Sequence, residues 1–276
     1  MMNTSKMPST TTMKSNVLLN IASLQMRFQG LSALDDVSFT AQAGQITSLI
    51  GPNGAGKTTL FNCVTGMYRP TSGQVVFDGA DITGKAAHQV SRHGVARTFQ
   101  NLALFGGLTV MDNLLVGAYR QGSSGLLQGA VTSWRARAEQ RAAFTAATEV
   151  LEFLGMPDIA DVLPGELPYG RQKQVEFARA LMQKARLVLL DEPMAGMSSA
   201  EKSAMTELIL RVREQYGVSF LIVEHDIPVI MDISDKIVVL DFGRKIAEGT
   251  PREVQANPAV IKAYLGTEHG AATDNA

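Results

Sequence analysis

The residues with the clearest chemical purpose lie in the run GPNGAGKTT. There Gly51, Gly56, Lys57 and Thr58 satisfy the spacing GxxxxGK[ST] in full. Glycines let the backbone curl until successive N–H groups point inward at phosphate oxygens. A helix beginning where the run ends adds its positive terminus. Lys57 supplies a point charge for the β- and γ-phosphates of a nucleotide, and the Thr58 hydroxyl suits Mg2+. The expected nucleotide-contacting set in this run is Gly51, Asn53, Gly54, Ala55, Gly56, Lys57, Thr58 and Thr59. A second constellation is LVLLDE, four apolar residues followed by Asp191 and Glu192. A buried strand ending in two acids delivers them at the carboxyl edge of a sheet, where ligands bind in doubly wound folds. Asp191 suits a metal shell. Glu192 suits orienting or deprotonating an attacking water.

Such groups need a strand before the loop and a helix after it. Residues 45–50 form an apolar-rich strand, and residues 60–65 read as a helix closed by Gly66. Upstream, residues 17–28 and 36–41 alternate with period two, and residues 75–78 read as a further strand. Residues 186–190, 218–223 and 237–240 are apolar strands suited to a sheet covered on both faces. Helices over 171–184 and 201–216 alternate with them, which predicts an α/β fold with a mostly parallel sheet. Val175, Ala178 and Met182 are expected to face inward from the first of these. Between the two halves, residues 102–161 are mostly helical in pattern, with a loop at 122–129. Phe144, Ala147, Leu151 and Leu154 share one face of a helix that Gly155 and Pro157 stop.

Composition narrows the field. The chain has 276 residues, enough for one large domain carrying an insertion, with 45% hydrophobic and 18% charged residues. A net charge of −1, from 25 basic and 26 acidic residues, argues against a general nucleic-acid binder. Cys63 is the only cysteine, so no internal disulfide forms, and its place after the loop fits a small buried side chain. No apolar run approaches the ~20 residues of a membrane span. Residues 1–16, rich in Ser, Thr and Met, lack the apolar core of a signal peptide and read as a disordered leader.

With LPYGRQKQVEFARAL just ahead of the second motif, the order of elements resembles the nucleotide-binding subunits of ABC transporters. The resemblance covers nearly all of residues 17–266. It implies a P-loop NTPase, RecA-like core with an antiparallel β subdomain and an inserted α-helical subdomain. The expected single domain spans 17–266, with its core at 17–100 and 162–250, its insertion at about 101–161, and a flexible tail at 267–276. It also implies further site residues. Gln100, in ARTFQN, corresponds to the glutamine that touches metal and water. His225, in VEHD, corresponds to the histidine at the γ-phosphate. Phe28 corresponds to the aromatic that stacks on adenine, and residues 194–199 to the loop joining the two ATPases. Thr58, Gln100 and Asp191 are then the Mg2+ ligands, and Glu192, His225 and Gln100 the catalytic groups.

The segments LTVMDNLLVG, LPYG and NPAVIKAYLG narrow the likeness to the branched-chain amino-acid importer branch, which urea and short-amide importers share. The implied partners are two transmembrane permease subunits, a second, non-identical ATPase packed head to tail, and a periplasmic solute-binding protein. The implied place is the cytoplasmic face of the inner membrane. One departure stands out. The family's signature is usually Leu-Ser-Gly-Gly-Gln, whereas here it reads Leu167, Pro168, Tyr169, Gly170, Arg171. That segment serves the γ-phosphate held by the opposite subunit, and here it lacks the serine hydroxyl. Gly170 and the helix start are expected to offer N–H donors, and Arg171 a charge. Two other readings compete. A soluble ABC-type ATPase of ribosome function or DNA repair usually carries two fused cassettes or a long coiled coil, and neither is present. A P-loop GTPase would need an Asn-Lys-x-Asp segment, and a kinase would not need the Gln100 and His225 pattern.

Overall fold

The computed structural model describes residues 16–98, 102–118 and 134–270, excepting the side chains of 135, 136 and 265–270. Residues 1–15 of the expected leader at 1–16, the loop at 122–129 and Gln100 lie outside the described residues.

Two sheets form. In the first, β1 (Val17–Phe28), β2 (Leu31–Gln42), β4 (Ser72–Phe77) and β5 (Ala80–Asp81) lie antiparallel in the order β2-β1-β4-β5. The second holds β3 (Ile46–Ile50), β6 (Val95–Arg97), β7 (Leu187–Asp191), β8 (Ser219–Val223), β9 (Lys236–Asp241) and β10 (Arg244–Gly249), in the order β10-β9-β3-β8-β7-β6. Its pairings are parallel except that of β10 with β9. Every residue of β3, β7 and β8 is buried, as strands covered on both faces must be.

One face of the parallel sheet packs against α1 (Lys57–Val64) and the antiparallel sheet, through Leu49, Leu60, Phe61, Leu189 and Leu221. The other carries α5 (Tyr169–Leu181) and α6 (Ser199–Tyr216), through Val175, Phe177, Leu190, Ile209 and Phe220. Between residues 102 and 161 come α3 (Val110–Ala118) and α4 (Trp134–Phe153), and α3 packs on α5. Ala147, Leu151 and Leu154 are buried as their spacing predicts, but Phe144 is 53% exposed. It is one turn beyond the part of α4 that meets the core, so the shared face outruns its partner.

Other differences fall at ends and in short elements. Helix α1 begins at Lys57 rather than residue 60, because the loop turns directly into helix at Gly56. Strand β2 begins at Leu31, in register with β1 across a tight turn. Short α2 (Ala87–Arg92) and β6 have too few residues to show a period. Helices α7 (Ile227–Ile233) and α8 (Pro251–Gln255) precede and follow β9 and β10. The last helix, α9 (Pro258–Gly270), runs past residue 266.

Candidate active site

The glycine run bridges β3 and α1. Gly56 has φ 98°, and a Cβ there would sit 2.6 Å from the Ala33 carbonyl oxygen, so only glycine fits. Asn53, Gly54 and Thr58 are exposed, Thr59 is half-buried, and Gly51 and Ala55 are buried beneath the loop. Lys57 folds back over the loop, and its Nζ donates to the carbonyls of Gly51 at 2.6 Å and Pro52 at 3.0 Å. Burial lowers its pKa, against the opposing pull of Glu192 and Asp191.

The two carboxylates sit at the carboxyl end of β7. Asp191 is 4% exposed and accepts a hydrogen bond from Arg97 Nη2 at 2.6 Å. Glu192 has φ +49°, a left-handed value that turns the chain sharply after the strand. Its N–H donates to the Val223 carbonyl at 2.9 Å, and its Oε1 lies 2.9 Å from His225 Nε2. Lys57, Asp191, Glu192 and His225, distant in sequence, thus come together at one edge of the sheet. Phe28 ends β1 and is 39% exposed, with its ring meeting that of Tyr68 edge-on, centroids 5.4 Å apart.

Several groups here went unnoticed in the sequence. Glu224, almost fully buried, accepts the Met194 N–H on Oε1 and the His225 N–H on Oε2, both at 2.8 Å. One carboxylate therefore ties the loop at 194–199 to the histidine. Arg97 is the partner of Asp191, and the Tyr264 hydroxyl on α9 hydrogen-bonds the Gly51 backbone. Burial pushes the Tyr264 hydroxyl up to about 12. Glu224 and Arg97 were legible only as neighbours of His225 and Gln100 within VEHD and ARTFQN. Nothing in the pattern around Tyr264 marked it.

The signature segment faces α6 and the loop at 194–199. Leu167 is half-buried, and Pro168 precedes the first turn of α5. The exposed Tyr169 ring covers Gly196, where a Cβ would lie 3.2 Å from the ring. The Glu201 carboxylate reaches over Gly170, which has no Cβ to block it. Arg171 is exposed, and its Nη1 donates to Gln174 Oε1 at 3.2 Å.

For Mg2+ the residues present fit. The Thr58 hydroxyl is open at the first turn of α1, and the Arg97 contact on Asp191 Oδ2 leaves Oδ1 for a ligand. Both are hard oxygen donors. No group of three or more His, Cys, Asp or Glu that could hold a metal occurs among the described residues. Mg2+ typically takes one or two protein oxygens and completes its shell from phosphates and water.

Comparison with known proteins agrees with this geometry. A model of the family described as "ABC transporter" matches residues 34–195. A second, described as "Branched-chain amino acid ATP-binding cassette transporter", matches residues 244–270. The high-affinity branched-chain amino acid transport ATP-binding protein BraF of Pseudomonas aeruginosa is 42% identical over 252 residues, 91% of this chain and 99% of that one. LivG of Escherichia coli, of the same description, is 41% identical over the same shares. The solved ADP conformation of an ATP-binding cassette of an ABC transporter superposes with a TM-score of 0.80 at 33% identity, covering 91% of this chain and all of that one. Among the described residues no helix is long and apolar enough to cross a membrane. The chain therefore belongs to the ABC transporter family, as one of its ATP-binding, ATP-hydrolysing subunits.

Proposed function

We propose that this chain is the ATP-driven motor of an importer for branched-chain or other hydrophobic amino acids, working at the cytoplasmic face of the inner membrane. The observation that carries the chemistry is the 2.9 Å contact of His225 Nε2 with Glu192 Oε1, directly after Asp191. In this reading the loop N–H groups from Gly51 to Thr59 and the Lys57 ammonium hold the phosphates of ATP. Lys57 has only to exchange its two loop carbonyls for phosphate oxygens. Phe28 presents its exposed ring to adenine. Glu192 takes the proton of the water that attacks the terminal phosphate, while the bond from that phosphorus to ADP breaks. His225 holds Glu192 in place before attack, and the family resemblance gives Gln100 a part in the same step. Bound Mg2+ would neutralise charge on the β- and γ-phosphates. Thr58 and Asp191, with Gln100, would hold it.

The names of the relatives and the match at residues 244–270 support the solute class. In this assembly two permease subunits take up the motion, and a second, non-identical ATPase closes head to tail on this chain. A periplasmic binding protein delivers solute, and nucleic acid has no part. Phe105, Leu108 and Val116, exposed around α3, offer an apolar surface to a permease.

Uptake of labelled leucine, isoleucine and valine in a strain lacking this chain is the test, with the parent chain and Lys57→Ala restored separately. The parent chain should restore uptake and Lys57→Ala should not. Amino-acid uptake unaffected by the deletion refutes the solute assignment, and dependence of urea uptake instead selects the short amides.

A further inference from the structure

We propose that Arg97 is a positioning residue for the metal site: its guanidinium sets where Asp191 stands relative to the helix that begins with Thr58. The inference rests on the reading of Asp191 and Thr58 as Mg2+ ligands given above. Arg97 ends β6, and its Nη2 donates to Asp191 Oδ2 at 2.6 Å, with both side chains under 10% exposed. Nη1 donates to Asn62 Oδ1 at 2.6 Å on α1 and to Thr65 Oγ1 at 3.4 Å at the end of that helix. The guanidinium carbon lies 5.6 Å from the centre of the Phe61 ring. One planar fork therefore touches both the helix of the phosphate loop and the strand of the carboxylates. Its own backbone leads, three residues on, to Gln100.

Geometry, more than stability, explains such a group. Burying an ion pair returns little net stability for its desolvation cost. A guanidinium, with donors fixed in direction, sets an angle as well as a charge, which a lysine ammonium does not. By engaging Oδ2 it leaves Oδ1 as the atom presented to the ion. By holding Asn62 it fixes the separation between that oxygen and the Thr58 hydroxyl one turn earlier on α1.

Equilibrium binding of ATP to the full chain, in EDTA and in Mg2+, separates this role from general bracing. The ratio of the two affinities is the gain due to the ion. Arg97→Lys and Arg97→Gln are expected to bind ATP in EDTA as the parent does. They should lose about 10- to 100-fold of the Mg2+ gain, the range for removing an outer partner of a metal ligand. Asn62→Ala keeps the ion pair and removes one tie to α1. It should lose less in the same direction, and it decides the matter if the Arg97 variants do not fold. Asp191→Asn tests the underlying reading. If Asp191→Asn abolishes the gain while the Arg97 and Asn62 variants keep it, the inference fails and the metal reading stands. If Asp191→Asn also keeps the gain, both fail. Equal losses with and without Mg2+ in the Arg97 and Asn62 variants would show a brace of the fold, and overturn the inference.

Discussion

Glu224 is the group whose removal the structure allows to be priced. Its side chain is almost fully buried and accepts two backbone N–H groups, from Met194 and His225, each at 2.8 Å. Glu224→Ala leaves both donors without their acceptor in a dry interior. A hydrogen bond to a charged group contributes about 1.5–3 kcal/mol, so two give about 3–6 kcal/mol as an upper range. Glu224→Gln keeps one oxygen and turns an NH2 toward the other N–H, so its cost should be about half. For a chain of this size 1 kcal/mol moves the melting temperature by about 2–4 °C, giving roughly 6–24 °C for Ala and half that for Gln. Hydrolysis should fall in both variants even where they are folded, because the released N–H belongs to His225, the partner of Glu192. Thermal unfolding and single-turnover hydrolysis below the transition measure the two effects. Stability within about 0.5 kcal/mol of the parent in both variants, the range of an ordinary surface change, would refute the argument.

Four further outcomes follow from the site. Glu192→Gln should bind ATP normally and hydrolyse it about 100-fold more slowly or worse, the usual cost of losing a general base; normal turnover at that site would remove Glu192 from the role. Phe28→Ala should weaken ATP and GTP alike by about 1–3 kcal/mol, since a stacked ring reads little of the base, and unchanged binding in a titration would assign adenine to another residue. Burial pushes the Cys63 thiol up to about 11, so at pH 8 only about 1 in 1,000 molecules carries the thiolate, the reactive form. Native protein should resist iodoacetamide until unfolded, and rapid native labelling, followed by mass, would contradict the burial. Finally, no serine hydroxyl stands at position 168. The composite site built on Lys57 and Glu192 should then carry most of the turnover. Glu192→Gln should cost the reassembled transporter more than the matching change in its partner ATPase, and equal losses would end the asymmetry.

What the sequence determined alone was local and periodic. GPNGAGKT specifies its own backbone, because Gly56 must adopt φ 98° against a neighbouring carbonyl and only glycine does so freely. The strands at 187–191 and 219–223 announce themselves as unbroken apolar runs, because a parallel strand is covered on both faces. Asp191 and Glu192 were legible as acids leaving such a strand. Tertiary structure alone decided what those groups touch. Arg97 reaches Asp191 across 94 residues, Glu224 joins His225 to Met194 across 30, and Glu201 comes to rest on Gly170. Phe144 keeps the helical spacing of Ala147 and Leu151 yet is exposed, since among the described residues no element packs over it. Periodicity records which face a residue occupies along its own element. Which neighbour fills that face depends on how strands far apart in the sequence are ordered in the sheet, and hydrogen bonds made across that order leave no repeating trace in the chain.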